Sequence, residues 1–237
     1  MNTTATAYKE GFTYQQVLEY ATELLSDRNV CLLSLGAFGG YITVGFDHTV
    51  PNISGEYDFK IYGNAAYDIY GTNEDKPGGS AEPGIVLVSK DTNGNGLPDD
   101  EWYELAGSEY NSPSTIRNYE ITYYRPELPG DNVQWIEEDR ITFSGSRLAD
   151  NAVNEPRPDM PEHWVGYCYA WGYADNHPND TEYSKFKIDW AVDKNGNPVH
   201  LDGIDFVKIY TAVNQDCGWT GEISTEIQAV EDLHYNK

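Results

Sequence analysis

The feature that most constrains the fold is a series of short segments rich in β-branched and aromatic residues, separated by clusters of Gly, Pro, Asn and Asp. Within one of them, Ile42, Val44 and Phe46 alternate, so their side chains fall on one face of an extended chain. Turn clusters at these intervals are typical of an antiparallel β-sandwich. The predicted strands cover residues 30–35, 41–46, 57–62, 84–89, 101–106, 119–124, 140–144, 166–171, 206–211 and 223–230.

One amphipathic helix precedes these strands. Thr13 and Gln16 have the spacing of a capping box, and apolar residues then recur every three or four positions from Tyr14 to Leu25. We therefore predict an N-terminal segment, residues 1–29, that carries the helix, and a single β-sandwich domain over residues 30–237. The expected fold class is mostly β, with one N-terminal α-helix.

The segment from Asp91 to Glu101 has the pattern of an EF-hand-type calcium loop. Oxygen-bearing side chains alternate along it, and Gly96 lies where such a loop turns sharply. The last loop position, which normally carries a bidentate glutamate, is Trp102, so Asp100, Glu101 or a distant residue would have to complete the shell. The predicted ligands of a structural Ca²⁺ are the backbone carbonyl oxygen of Leu97 and the side chains of Asp91, Asn93, Asn95, Asp99, Asp100 and Glu101. The alternative is a metal-free turn, which Asp, Asn and Gly clusters also form.

A second segment, residues 193–198, has a similar composition but carries Pro198 where a calcium loop needs glycine. We predict a hairpin turn there rather than a second ion site.

Charge and cysteine usage exclude several classes of partner. The chain has 39 acidic and 15 basic residues and a formal net charge of −24, which argues against binding to nucleic acid or to anionic lipid. The three cysteines, Cys31, Cys168 and Cys217, lie far apart, so a zinc site is not indicated, and Cys168 and Cys217 either pair or stay free.

No apolar run is long enough to span a membrane. Residues 1–7 lack the features of a signal peptide, so we expect the chain to begin after a removed leader.

Aromatic residues are concentrated in residues 163–177. If this segment is a strand, alternate aromatic side chains line one face and offer a platform for a sugar ring or a planar ligand, with polar groups at its rim. The alternative is a central strand of the core. Two further aromatic residues, Trp102 and Trp219, are predicted to be exposed. The candidate ligand-binding residues are Trp102, Tyr167, Tyr169, Trp171, Tyr173, Asp175, His177 and Trp219.

Asp58 and Glu82 are candidates to supply a carboxylate to a cation shared between strands. Glu222 and Glu226 straddle the last predicted strand, and one of them is a candidate to point inward to a cation or to backbone amides. Hydrogen bonding at strand ends, or plain solvent exposure, is the competing interpretation. The sequence contains no HExxH, Gly-x-Ser-x-Gly or P-loop motif. We therefore predict that the protein is not an enzyme, and a glycoside hydrolase is the less favoured alternative.

Several blocks of the sequence resemble a family of Bacteroidetes cell-surface proteins of uncharacterised function, some with PKD-like domains. The resemblance covers roughly residues 30–232, and its blocks include GGYITVGFDH (39–48), YDFKIYGN (57–64), AEPGIVLVS (81–89), DEWYELAGSEY (100–110) and YAWGYADN (169–176). It implies a jelly roll of the galactose-binding type, lipid anchoring at the outer-membrane surface, and a binding role.

Together these features predict an extracellular, calcium-stabilised surface protein. It would bind a glycan or another small-molecule nutrient, for which a corrinoid is one specific version, and would serve uptake by an outer-membrane transporter. The alternative is a structural or adhesion protein that binds another surface protein.

Overall fold

The computed structural model describes residues 4–5, 12–26, 32–68, 77–124 and 139–235. The chain is mostly β, with 41% of residues in strands and 11% in helices. Its sheets are predominantly antiparallel and one α-helix lies near the N-terminus, so the predicted fold class of a β-sandwich with an N-terminal helix is confirmed. In the described parts of the chain, no helix has the length and apolar character needed to cross a membrane.

The helix α1 runs from Tyr14 to Ser26. Its capping box is formed as predicted, since Thr13 N donates to Gln16 Oε1 at 2.9 Å and Gln16 N donates to Thr13 Oγ1 at 3.3 Å. Leu24 is buried and Leu25 packs against the main core, so the helix packs on the sheets rather than extending from them.

The strands vary widely in length. In chain order they are β1 (Thr4–Ala5), β2 (Leu32–Ser34), β3 (Tyr41–Pro51), β4 (Phe59–Tyr62), β5 (Gly78–Gly79), β6 (Gly84–Ser89), β7 (Trp102–Leu105), β8 (Ile116–Tyr124), β9 (Arg140–Arg147), β10 (Ala152–Asn154), β11 (Trp164–Tyr167), β12 (Lys185–Phe186), β13 (Ala191–Val192), β14 (Gly203–Thr211), β15 (Glu226–Ile227) and β16 (Ala229–Asp232). Three short 3₁₀ helices are described as well, at Glu182–Ser184, Ile188–Trp190 and Gly218–Thr220.

The largest described sheet has the strand order β13–β7–β6–β14–β3, and every neighbouring pair in it is antiparallel. β6 and β14 lie at its centre, and apolar side chains such as Val86, Val88 and Val207 are fully buried there. Three smaller sheets, β12–β4–β16, β10–β11–β5 and β1–β2–β15, and the two-stranded ribbon β8–β9 surround it. Only the β1–β2 pair is parallel among the strand pairings that the structure describes.

Several predicted strands differ in their bounds, and two are wrong in kind. β3, β8, β9 and β14 are each longer than predicted. The predicted strand over 166–171 is β11, which ends at Tyr167, and the one over 223–230 is two strands, β15 and β16. After β11 the chain leaves the sheet because the Asn176 side chain replaces a strand partner. Its amide accepts from Tyr169 N and donates to Tyr169 O, each at 2.8 Å.

The turn predicted over residues 193–198 is confirmed. Asp193 Oδ1 accepts hydrogen bonds from the backbone N–H groups of Asn195 and Asn197, both at 2.8 Å. Val192 and Pro198 form an antiparallel bridge across this turn. The acidic residue therefore closes a hairpin by bonding to its own backbone.

Candidate calcium loop, acidic cluster and ligand cavity

The predicted calcium loop joins β6 to β7 and coils around the carboxylate of Asp91. Asp91 Oδ1 accepts from Gly94 N at 2.7 Å, and its Oδ2 accepts from Gly96 N at 2.7 Å. Gly94 and Gly96 have φ values of +70° and +73°, which side chains other than glycine rarely adopt. Asp91 N donates to Asp205 Oδ2 at 2.8 Å, so the loop is also attached to β14.

Four of the predicted ligands converge within this loop. Asp99 accepts from Asn93 Nδ2 at 3.1 Å and from Asn95 Nδ2 at 3.0 Å, and Asn95 N lies 3.1 Å from Asp91 Oδ1. The hydrogen bond from Asn95 lowers the pKa of Asp99. Carboxylate and amide oxygens are the hard ligands that Ca²⁺ prefers, so these four residues are the ones that would hold a cation in this loop.

The other predicted ligands have separate contacts. Asp100 accepts hydrogen bonds from the backbone and hydroxyl of Thr92, and Glu101 accepts one from Tyr103 Oη at 3.0 Å. The side chain of Leu97 is 55% exposed. The loop therefore groups Asp91 and Asp99 with the two asparagines, whereas Asp100 and Glu101 bond to neighbouring side chains.

Calcium removal should lower the melting temperature. A cation that binds only the folded chain at about 100 times its Kd stabilises it by about 2.7 kcal/mol, which corresponds to roughly 5–10 °C for a chain of this size. We expect this difference between calcium and EGTA in wild-type protein and its loss in Asp91→Ala, measured by differential scanning calorimetry. Asp193→Ala is the matched control, because Asp193 also closes a turn through backbone amides. Identical wild-type melting curves in calcium and EGTA would refute an occupied loop.

The predicted aromatic platform is dispersed in the structure. Tyr167 and Tyr173 are buried, and Tyr173 Oη accepts from Glu109 N at 3.0 Å. Tyr169 packs against the Tyr173 ring and donates to Ala149 O, whereas Trp171 packs against Trp190 with ring centroids 4.7 Å apart. These aromatic side chains therefore do not form one continuous exposed face.

The remaining predicted ligand-binding residues have different surroundings. His177 is buried between Tyr169 O and Tyr67 Oη, and burial lowers its pKa. Trp102 is half-buried with the ammonium of Lys208 over its ring. Trp219 is 71% exposed, which confirms the predicted exposure of its indole.

Asp175 belongs to an acidic cluster that also contains Glu82 and Glu226. One carboxylate oxygen from each lies within 4.8 Å of the others. Glu82 lies two residues before β6, Asp175 lies in the segment after β11, and Glu226 begins β15, so three separate parts of the chain meet here. Sequence analysis singled out each residue separately, and only the tertiary fold brings them together.

Hydrogen bonds to the three carboxyl groups differ in number. Asp175 accepts from the backbone N–H groups of Asn64, Ala65 and Glu226 at 2.7, 2.8 and 2.9 Å. Glu226 Oε1 accepts from Ser34 Oγ at 2.9 Å. The cluster therefore links β2, β15 and the segments before β5 and β6.

Burial makes ionisation of this cluster costly. It raises the pKa of Asp175 to about 7, although three backbone hydrogen bonds act in the opposite direction. Burial, together with the neighbouring carboxyl group of Glu226, raises the pKa of Glu82 to about 10. Buried carboxyl groups this close together need a proton or a cation between them.

Glu82 also forms part of the wall of a cavity of about 260 Å³. The segment that follows β14, which includes the 3₁₀ helix at Gly218–Thr220, contributes several of the lining residues. The lining residues are Gly79, Ser80, Ala81, Glu82, Ala152, Trp164, Gly166, Cys217, Thr220, Gly221, Glu222 and Ile223. Because Cys168 and Cys217 are both free thiols, no disulfide closes this region.

Two indoles are fixed at the edge of this cavity by one glutamate. Trp164 Nε1 donates to Glu162 Oε1 at 3.0 Å, and Trp219 Nε1 donates to Glu162 O at 3.3 Å. Gly218 permits this arrangement, because it has φ +64° and a side chain there would collide with the Glu162 carboxylate. Trp164 lines the cavity and Trp219 lies exposed beside the lining residue Thr220.

The cavity differs from the predicted aromatic site. None of the predicted ligand-binding residues is among the lining residues, although Tyr167 and Trp219 are adjacent to them in sequence, and Trp164 was not predicted. Its position in the aromatic-rich segment was the available signal. Comparison with protein-family models and with curated proteins finds no match for this chain.

Proposed function

We propose that this protein is an extracellular, calcium-stabilised binding protein for a glycan or a similar small nutrient, and that it serves uptake across an outer membrane. The observation that carries the proposal is the cavity beside Glu82. It combines an indole face, Trp164, with carboxyl groups and backbone of Gly79, Gly166 and Gly221. An apolar face with a few polar groups around it is the usual composition of a sugar site.

The size of the cavity favours a small ligand group. Its volume of about 260 Å³ is slightly below the range of about 300–1,000 Å³ that is common for sites of drug-sized ligands. A single sugar residue, or the end of a longer chain that continues over the exposed Trp219, suits this space better than a whole corrinoid. The strongly acidic composition disfavours polyanionic glycans.

A panel of neutral and acidic oligosaccharides tests the proposal by isothermal titration calorimetry. We expect saturable binding of at least one member, with an affinity at least about tenfold lower in Trp164→Ala and Thr220→Ala. Thr220→Ala removes a lining hydroxyl with little change in the core. Trp102→Ala, outside the lining, should bind within about twofold of wild type.

The same panel separates the alternatives. An absence of saturable binding by every member contradicts the proposal. Cleaved products would indicate a hydrolase, because Glu82 and Glu222 are two carboxyl groups in one cavity. Adhesion to another surface protein would instead use exposed apolar side chains, and the ribbon β8–β9 carries three of them, Ile116, Tyr124 and Ile141.

A further inference from the structure

We propose that Glu82 faces the ligand cavity as a neutral carboxylic acid that shares its proton with Glu226, and that the cavity therefore takes an uncharged, hydroxyl-bearing ligand. This inference rests on the proposed function, because it takes the cavity as the ligand site. It adds the protonation state of one wall residue and the charge class of the ligand.

The crowding of three carboxyl groups favours a proton among them. One carboxylate oxygen from each of Glu82, Asp175 and Glu226 lies within 4.8 Å of the other two. Buried carboxylates this close repel one another when all are ionised, and a proton on one of them removes that repulsion without a cation. We therefore infer that one of the three residues keeps a proton.

The available donors assign the proton to Glu82. Asp175 receives three backbone N–H groups, which stabilise a negative charge there. Glu226 accepts from the hydroxyl of Ser34, whereas the side-chain hydrogen bond that Glu82 accepts within the described residues is a longer one of 3.3 Å from Ser224 N. Glu82 is therefore the poorest place for a charge, and its pKa is raised further than that of Asp175.

Other titratable groups do not supply a compensating positive charge. Cys217 faces Glu82 from the segment after β14, and burial raises the pKa of its thiol to about 11. Glu222, on the same wall, is exposed and acidic. Lys, Arg and His are absent from the described residues that line the cavity.

The neutral state of Glu82 affects binding through desolvation. An uncharged ligand that covers a carboxylic acid displaces weakly bound water, whereas covering an unpaired carboxylate removes the water that stabilises its charge. An anionic ligand would meet Glu222 and a chain of net charge −24 without a basic partner in the described lining. The cavity therefore favours a neutral polyhydroxylated group.

Glu226→Gln is the decisive variant, because it removes the neighbouring acid and supplies an amide donor, so Glu82 ionises more readily. The probe is the neutral tetrasaccharide of the panel with the highest affinity. Wild-type affinity should stay within about threefold between pH 5.5 and 8. In Glu226→Gln the affinity should fall at least about tenfold over that range. The double variant Glu82→Gln, Glu226→Gln should be independent of pH, as should the control Glu222→Gln.

A second probe tests the charge class. It is the same tetrasaccharide with one hydroxymethyl group oxidised to a carboxylate, on the sugar unit that occupies the cavity. Wild-type protein should bind this acidic form at least about tenfold more weakly than the neutral form. Equal affinity of wild type for the neutral and acidic forms would overturn the inference while leaving the proposed function in place. The same holds if the affinity of Glu226→Gln for the neutral form does not change with pH, or if it is higher at pH 8.

Carboxyl ¹³C NMR provides a readout that needs no ligand. In wild type the Glu82 signal, assigned by its loss in Glu82→Gln, should remain that of the protonated acid at pH 8. In Glu226→Gln it should titrate below pH 7. If Glu82 titrates in wild type near the ordinary value of a glutamate, the inference is wrong, whatever the glycan panel shows.

Discussion

Replacing Asp58 by alanine is expected to lower the free energy of unfolding by about 3–5 kcal/mol, the loss typical when one partner of a buried hydrogen-bonded ionisable pair is removed. Asp58 is fully buried, and its Oδ1 accepts from Ile53 N and from His234 Nε2, both at 3.0 Å. Its Oδ2 accepts from Ile188 N at 2.8 Å. Alanine would leave three buried donors without an acceptor.

Asp58 has this effect because it joins distant parts of the chain. The loop before β4, the 3₁₀ helix at Ile188–Trp190 and the segment after β16 all donate to one carboxylate. None of these segments has a long strand pairing of its own to hold it in place. Loss of the carboxylate should therefore also increase amide hydrogen exchange around Ile188 and His234.

Asp47→Ala is the matched control. Asp47 also bonds a histidine, with Oδ1 2.6 Å from His48 Nδ1, but its side chain is 92% exposed. Surface pairs of this kind contribute little to stability, because water screens the two charges. Urea denaturation of both variants measures the contrast, and equal losses of stability would show that Asp58 does not organise the core in the way its contacts indicate.

The second large effect concerns the pH dependence of stability. The pKa of Glu82 is about 10 in the folded chain, above the 4.5 of an ordinary glutamate. Between these values the folded chain keeps a proton that the unfolded chain releases, so the unfolding free energy falls as pH rises. One proton corresponds to a slope of up to about 1.4 kcal/mol per pH unit.

Glu82→Gln should remove this slope. Glutamine keeps a polar group beside Glu226 but does not titrate, so the variant should be more stable than wild type at pH 8 by about 1–4 kcal/mol. Urea denaturation from pH 5.5 to 8.5 measures the difference between the two curves. Glu222→Gln is the control, because it removes an exposed acidic group from the same cavity wall. Parallel curves for wild type and Glu82→Gln would contradict the assignment of the proton to Glu82.

Local patterns predicted several elements well. The capping box at Thr13 and Gln16 placed the start of α1, and the apolar run over residues 84–89 coincides with β6. Both signals depend on neighbours in the sequence, which meet regardless of how the remaining chain folds. The same holds for the turn at Asp193, where a carboxylate bonds to amides two and four residues away.

Patterns of side-chain alternation failed where a side chain replaced a strand partner. Tyr167, Tyr169, Trp171 and Tyr173 alternate as a strand would, but Asn176 bonds the backbone of Tyr169 and the sheet ends. Alternation reports which side chains would share a face if the backbone were extended. The alternation does not show whether another strand is available to pair with that segment.

The candidate site depends on contacts between distant segments, and this limits what the sequence reveals about it. Glu82 and Glu226 were separate candidates for a cation and Asp175 for a ligand, and their interaction follows only from the way β6, β15 and the segment after β11 meet. The cavity wall at Trp164 likewise requires the turn at Gly218–Thr220 to pack against Glu162. Exposure of Trp219 was predictable because a Gly-Trp pair between strands favours a loop.

The central claim, that the cavity beside Trp164 is the ligand site, is tested most directly by the indole region of ¹H–¹⁵N NMR spectra. The chain has six tryptophans, so each indole N–H signal can be assigned by substitution. On titration with the neutral oligosaccharides of the panel, we expect saturable shifts of the Trp164 and Trp219 signals, while those of Trp102 and Trp171 stay unchanged. An unchanged Trp164 signal with every oligosaccharide, or saturable shifts at Trp102 or Trp171 in its place, would contradict the account.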